Sequence, residues 1–138
     1  MFKNIENFIR GKVLFDEPMS KHTSYGIGGP AKAYITPSDK EDLKSILKYS
    51  TENNVPTFFV GSGSNLLVSD EGIDGLVITL GRSFNNLEIN NNKVFAQTGV
   101  MLGKMVKECI KRNLSGVESL VGVPGTLGGA LIMNAGAF

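Results

Sequence analysis

The sequence has very few of the residues that form disulfides, metal sites or catalytic triads. Among its 138 residues there is one cysteine, Cys109, and one histidine, His22. A single cysteine cannot form an internal disulfide, so a cytoplasmic location is expected. His22 lies in a polar stretch and is predicted to be a surface residue, so neither a His-rich metal site nor a Ser-His-Asp triad is expected. Asp70, Glu71 and Asp74 match no calcium-loop spacing.

An excess of charge is also missing. Lys and Arg number 14, Asp and Glu number 13, and the net charge is +1. This balance argues against nucleic acid or an anionic membrane surface as a partner. Apolar residues make up 41% and charged residues 20%, which is typical of one globular domain. Residues 1–12 lack the long apolar core of a signal peptide.

The last twenty residues, 119–138, contain no Asp, Glu, Lys or Arg, but they include five glycines and one proline. Such a segment is either a membrane span or a buried glycine-rich loop followed by a short helix. Gly128-Gly129, Asn134 and the absence of flanking basic residues favour the loop. No membrane contact is therefore expected.

Hydrophobic spacing predicts the first half of the chain to contain a βαβ unit. A short helix is expected over residues 4–10 and a strand over 32–36. Ser38 and Glu41 form a capping box before a helix at 39–53. An uncharged strand at 57–60 should be buried on both faces.

The second half predicts a strand at 75–80, a hairpin over 87–97 turning at Asn90–Lys93, and a helix at 101–111. Asn113 is the expected C-terminal cap of that helix. One helix face should be buried, with Cys109 as a small core residue. Its members are Leu102, Met105, Val106, Cys109 and Ile110.

Gly61-Ser62-Gly63-Ser64-Asn65, directly after a predicted strand, is the best local signal for a ligand site. Its glycines let the backbone approach a ligand, and successive N–H groups can converge on a phosphate. Ser62, Ser64 and Asn65 add side-chain donors. The alternative is a tight turn between two strands. The spacing matches neither the Rossmann fingerprint nor the P-loop.

The second candidate segment is Gly122–Gly129, in which Pro124 and Gly125 shape the backbone and Thr126 supplies a hydroxyl. The alternative is a glycine-rich turn that packs against the sheet. Two neutral loops of this kind suit a pyrophosphate that is bound mainly by backbone dipoles.

Gly26–Gly29 precedes a strand and is predicted to be a structural turn. No catalytic acid, base or nucleophile stands out. From the residues alone, the sequence predicts an α/β domain that binds a phosphorylated cofactor.

Three segments together resemble one enzyme family. They read HTSYGIGGPAKAYITP at 22–37, VPTFFVGSGSNLLVSDEGIDGLVI at 55–78 and SGVESLVGVPGTLGGALIMNAGAF at 115–138. In this order they are similar to the N-terminal part of the UDP-N-acetylenolpyruvoylglucosamine reductases, also called UDP-N-acetylmuramate dehydrogenases. That family has a FAD-binding domain of the vanillyl-alcohol oxidase type.

The resemblance implies an α+β fold of this flavin-binding (PCMH) type, with the first subdomain and an incomplete second one. It implies FAD held non-covalently, because His22 and Cys109 are poor candidates for a covalent link. It also implies a set of residues that contact the cofactor. These are Gly61, Ser62, Gly63, Ser64, Asn65, Leu66, Pro124, Gly125, Thr126, Gly128, Gly129, Asn134, Ala135 and Gly136.

In the family, NADPH reduces FAD, and the reduced flavin passes hydride to the enolpyruvyl group of a UDP-sugar in cytoplasmic peptidoglycan synthesis. The family's arginine, glutamate and proton-donating serine lie in later parts of the sequence, so no catalytic residue can be matched here. The resemblance thus implies a truncated flavin-binding half, with a separately encoded C-terminal half as a partner. The alternatives are a non-catalytic remnant or flavin-binding module, and another oxidoreductase of the same flavin fold.

Overall fold

The computed structural model of the chain describes residues 4–136, so Ala137 and Phe138 of the Asn-Ala-Gly-Ala-Phe motif lie outside the described residues. Three short 3-10 turns accompany the regular elements, at Ile5–Asn7, Met19–Lys21 and Glu118–Leu120. In chain order the regular elements are β1 (Lys12–Pro18), β2 (Pro30–Thr36), α1 (Lys40–Glu52), β3 (Thr57–Val60), β4 (Ile73–Thr79), β5 (Leu87–Asn90), β6 (Lys93–Ala96), α2 (Leu102–Lys111) and α3 (Leu127–Ile132).

The main sheet has the strand order β1-β2-β4-β3. β4 lies parallel to both β2 and β3, while β1 pairs antiparallel with β2. The predicted βαβ unit is confirmed, with β4 inserted between its two strands. The carboxyl ends of the three parallel strands therefore meet at one edge of the sheet, which is where ligands bind in open α/β sheets.

Alternating side chains of the main sheet supply two apolar cores. One face packs on α1 through Ile35, Ile46 and Ile78, all fully buried. The other face gathers Tyr34 and Val77 with Met19, which comes from the connection between β1 and β2.

The predicted hairpin and second helix form a third core. β5 and β6 pair antiparallel, and Asn91 in their turn has φ +54°. Cys109 is 1% exposed, as predicted for a core residue, but Ile110 is 57% exposed, so its placement on the buried face was wrong. Asn113 adopts φ +56°, which suits the predicted helix end.

Other sequence predictions need correction. β3 is an edge strand, so Phe58 and Phe59 are 46% and 55% exposed and not buried on both faces. The predicted helix at 4–10 is only the turn Ile5–Asn7, and β1 was not predicted. The cap of α1 is Asp39, whose carboxylate accepts a hydrogen bond from the N–H of Asp42, and not Ser38.

The charge-free tail contains only short elements within the described residues. Its longest helix is α3, with six residues. Across residues 4–136, no helix combines the length and the apolar character needed to cross a membrane.

Asp42, in the first turn of α1, ties the N-terminal segment to that helix. Its side chain is 1% exposed, and its carboxylate accepts hydrogen bonds from the N–H groups of Arg10, Gly11 and Ser38, each at 2.8 Å. Burial alone would raise the pKa of Asp42, but these bonds outweigh it and hold that pKa below its ordinary value.

We expect Asp42→Asn to lower the free energy of unfolding at pH 7 by about 1–3 kcal/mol, because the buried donors lose a charged acceptor. The folded-state pKa lies below the unfolded one, so this contribution is present above about pH 4 and disappears as the pH falls through the folded value. Urea unfolding of both proteins at several pH values measures the difference. If the difference in unfolding free energy between the unchanged chain and Asp42→Asn stays constant down to pH 2, the proposed role of the Asp42 carboxylate is wrong.

Candidate functional site

The loop Gly61–Asn65 leaves the carboxyl end of β3 at the edge where the parallel strands end. Gly63 is buried and has φ +72°, a backbone conformation that L side chains rarely adopt. The hydroxyl of Ser62 donates to that of Ser64 at 3.2 Å, so the two serines lie on the same side of the loop. The loop is therefore a defined turn with small polar side chains at its surface.

Four successive backbone donors in this loop have no partner within the described part of the protein. Within residues 4–136, the N–H groups of Ser62, Gly63, Ser64 and Asn65 donate no hydrogen bond to the protein. The sequence from Gly61 to Ser69 contains no charged side chain. Unpaired N–H dipoles in a neutral turn can bind an anion such as a phosphate.

The second predicted segment is held beside α2. The N–H of Leu102 donates to the carbonyl of Gly125, and the N–H of Leu127 donates to that of Val100. Thr126 is the N-terminal cap of α3, and its hydroxyl accepts a long hydrogen bond of 3.4 Å from the N–H of Gly129. The segment is thus anchored to α2 and carries a buried threonine at its turn.

The structure brings the two glycine-rich loops together, although more than fifty residues lie between them in the sequence. A Cβ atom on Gly61 would lie 2.5 Å from the Thr126 hydroxyl oxygen, and one on Gly125 would lie 3.2 Å from that of Ser64. The loops therefore touch through positions without side chains. The hydroxyls of Ser62, Ser64 and Thr126 lie where the two loops meet.

A third segment, residues 22–24, supports the first loop from behind; we call it the strap. The N–H of Ser24 donates to the carbonyl of Gly63 at 3.0 Å, and a Cβ on Gly63 would overlap the carbonyl oxygen of His22. His22, predicted to lie on the surface, is 24% exposed at its side chain, and its ring has two partners. Sequence reasoning missed this role because the neighbours of His22 along the chain are polar.

The remaining predicted contact residues are placed differently. Leu66 packs partly into the core around Met19, so its side chain is turned into the protein. Asn134 has φ +48° at the end of α3, and the N–H of Ala135 donates to the carbonyl of Ala130. Gly136 is exposed. These three tail residues lie at the opposite end of α3 from Thr126, and their contact with a cofactor stays a prediction.

An open cleft of about 500 Å³ lies elsewhere along the sheet edge and includes no residue of either glycine-rich loop. Arg10, on its wall, is already paired with Asp39 at 2.6 Å. The lining residues are Arg10, Gly11, Lys12, Thr36, Pro37, Ser38, Arg82 and Ser83. Within the described residues, no group of three or more His, Cys, Asp and Glu side chains could hold a metal ion.

A family comparison finds a match over most of the chain. The sequence profile of the FAD binding domain matches residues 31–138, which include both glycine-rich loops. The chain belongs to the FAD-binding domain family. The predicted α+β fold of the vanillyl-alcohol oxidase flavin-binding type is confirmed by this match and by the solved structures it resembles.

Named relatives of this FAD-binding domain point to one enzyme. The UDP-N-acetylenolpyruvoylglucosamine reductase of Clostridioides difficile (strain 630) is 44% identical over 139 residues, which cover 100% of this chain and 46% of the relative. The enzyme of the same name from Alkaliphilus oremlandii is 46% identical over 91% of this chain and 41% of its own length. The chain thus spans less than half the length of these relatives. The resemblance seen in the sequence motifs is confirmed.

Solved structures agree on the fold. The UDP-N-acetylenolpyruvylglucosamine reductase of Thermus caldophilus superimposes with a TM-score of 0.73 at 35% identity, covering 94% of this chain and 44% of that one. Cholesterol oxidase from B. sterolicum gives a TM-score of 0.66 at 18% identity, covering 95% of this chain and 25% of that one, and supports the fold alone.

The contact between the loops can be tested by a double-mutant cycle. Gly61→Ala is expected to cost about 1–3 kcal/mol of unfolding free energy, because the new methyl group meets the Thr126 hydroxyl. Thr126→Ala should cost about 1 kcal/mol through loss of the cap of α3. The double variant should lose less than the sum of the two, since removing the hydroxyl makes room for the methyl. Strictly additive losses in urea unfolding would argue against the contact.

Proposed function

We propose that the chain binds FAD, with the cofactor's pyrophosphate against the loops Gly61–Asn65 and Pro124–Gly129. The observation that supports this most is the meeting of the two glycine-rich loops at the carboxyl edge of the parallel strands. Membership of the FAD-binding domain family supplies the identity of the ligand. Neither a turn between strands nor simple packing would require four successive loop N–H groups to remain unpaired.

Backbone and side-chain groups of the first loop would both bind the cofactor. The N–H groups of Ser62–Asn65 would donate to phosphate oxygens, and the Ser62 and Ser64 hydroxyls would add side-chain donors. Hydrogen bonds to a charged group contribute about 1.5–3 kcal/mol each. Gly125 leaves open the space in front of these hydroxyls, since a side chain there would point at both of them. Because neither loop carries a cation, binding depends on geometry more than on net charge.

We propose further that this chain provides the flavin-binding part of a UDP-N-acetylenolpyruvoylglucosamine reductase. The names of the two bacterial relatives and of the Thermus caldophilus structure support this. FAD, when bound, would take hydride from NADPH and deliver it to the enolpyruvyl group of the nucleotide sugar. The chain's part is to hold and orient the cofactor non-covalently, since the thiol of Cys109 is buried in the core on the inner face of α2.

Cytoplasmic location belongs to the same proposal. It is supported by Cys109, which is free and buried. A separately encoded C-terminal half, which would supply the substrate-binding groups, also stays a prediction.

FAD binding can be measured by titrating the purified chain and following flavin fluorescence. Gly125→Val is expected to weaken binding by at least about tenfold, because the side chain fills the space beside Ser62 and Ser64 and sits at φ +121°.

Gly116→Val is the matched control. Gly116 also has a positive φ, +104°, but a Cβ atom placed on it would have no neighbouring atom within 4 Å. The Gly116→Val variant should therefore have similar backbone strain but the same FAD affinity as the unchanged chain. Equal affinity for both variants and the unchanged chain would remove the loops as the FAD site.

Turnover can be tested with a chimera that joins this chain to the remaining part of the C. difficile relative. We expect the chimera to oxidise NADPH only when the enolpyruvyl UDP-sugar is present, and the isolated chain to show no such activity. General acid catalysis contributes about 10²–10⁴-fold in enzymes, and no acid is positioned at the loops described above. Absorbance of NADPH reports the rate. An FAD-loaded chimera without substrate-dependent oxidation would overturn the assigned reaction.

A further inference from the structure

We propose that His22 is a positioning residue for the glycine-rich loop Gly61–Asn65, acting through the backbone of the strap, residues 22–24. The identity of the loop's ligand rests on the proposed function, whereas the positioning itself rests on contacts within the described residues. No part of the family resemblance assigns a role to His22 or to Glu17, its partner.

The side chain of His22 is fixed on two sides. Its Nε2 atom lies 3.0 Å from Glu17 Oε1, and because an ionised carboxylate can only accept, Nε2–H is the donor. The ring stacks on Tyr34 with 4.0 Å between ring centroids and 19° between ring planes. Tyr34 is 8% exposed and belongs to β2, the strand next to β1 in the sheet. The imidazole is therefore attached to the rigid sheet on both sides.

Glu17 is suited to this anchoring. The hydrogen bond from His22 lowers the pKa of Glu17, and although partial burial opposes it, Lys21 adds to the lowering. Lys21 lies 3.6 Å from the second carboxylate oxygen. Glu17 consequently stays ionised at neutral pH and keeps its acceptor available.

The backbone of His22 then carries this anchoring to the loop. Its N–H donates to the carbonyl of Met19 at 2.8 Å, which fixes the peptide at the end of the 3-10 turn. Its carbonyl lies against Gly63, where no Cβ fits, and the N–H of Ser24 holds the carbonyl of Gly63 at 3.0 Å. The back of the loop is thus in contact with two consecutive strap peptides. The position of these two peptides therefore determines the position of Gly63 and of the loop around it.

If the anchor is removed, the strap can move and the loop samples other geometries. Apparent affinity falls in proportion to the fraction of molecules that hold the competent geometry, so a tenth of the population would give about tenfold weaker FAD binding. A carboxamide at position 17 keeps an acceptor for Nε2–H, while an alanine does not. Comparing Glu17→Gln with Glu17→Ala therefore shows whether the hydrogen-bond acceptor, and not the carboxylate charge, is what the loop needs.

The experiment uses the full 138-residue chain labelled with ¹⁵N, without FAD, and follows the amide resonances and hydrogen exchange of residues 61–65. His22→Ala and Glu17→Ala should shift these resonances and speed exchange. Glu17→Gln should resemble the unchanged chain, and the double alanine variant should go no further than either single one. Lys48→Ala is the matched control, since it breaks an exposed ion pair with Glu52 on α1.

FAD titration of the same variants is read separately. The expected result is about tenfold weaker binding for His22→Ala and Glu17→Ala, and no change for Glu17→Gln or Lys48→Ala. Folded alanine variants with unchanged loop resonances would overturn the positioning role. If the alanine variants shift the loop resonances but the unchanged chain binds no FAD, the positioning role of His22 is supported. The same result would refute the proposed function.

Discussion

Close backbone approach at the loop Gly61–Asn65 is the constraint on which the rest of the site depends. The loop lies between Thr126 on one side and the peptides of His22 and Ser24 on the other, and neither side leaves space for a Cβ atom. Three segments that are distant in sequence can therefore pack closely against one another, because the glycines at the contact positions carry no side chain. The parallel pairing of β3 with β4 supplies the support, because it delivers the loop to the edge where β2 also ends.

A neutral site built in this way differs from one built on lysine or arginine. Fixed N–H dipoles lose their value when the backbone shifts by a fraction of an ångström, whereas a long cationic side chain can follow its partner. The parts of the fold that hold the backbone therefore matter to the site even when they are remote from any ligand. Asp42 is one example, since it ties the segment before β1 to the start of α1.

Sequence reasoning predicted the elements that local pattern determines. The hairpin at Asn90–Lys93, the helix face around Cys109 and both glycine-rich loops were found because turn chemistry and helical periodicity are local signals. The uncharged run at Phe58 and Phe59 was misjudged, because periodicity identifies a strand but not its position in the sheet. His22 was misjudged for a similar reason. The partial burial of its side chain comes from the stacking on Tyr34, which reaches it only after the chain has turned and paired as β2.

The position of β3 at the edge of the sheet also affects how the protein behaves at high concentration. The outer side of β3 offers unpaired backbone groups, and the residues Thr57–Val60 include no charged side chain and no proline to discourage another strand from pairing there. Its two half-exposed phenylalanines would add apolar contact to such pairing. With only four residues, β3 can form few backbone hydrogen bonds with a strand of another molecule, and this shortness is its chief protection against edge-to-edge aggregation. The opposite edge, β1, is protected differently, by the exposed charges of Lys12 and Asp16.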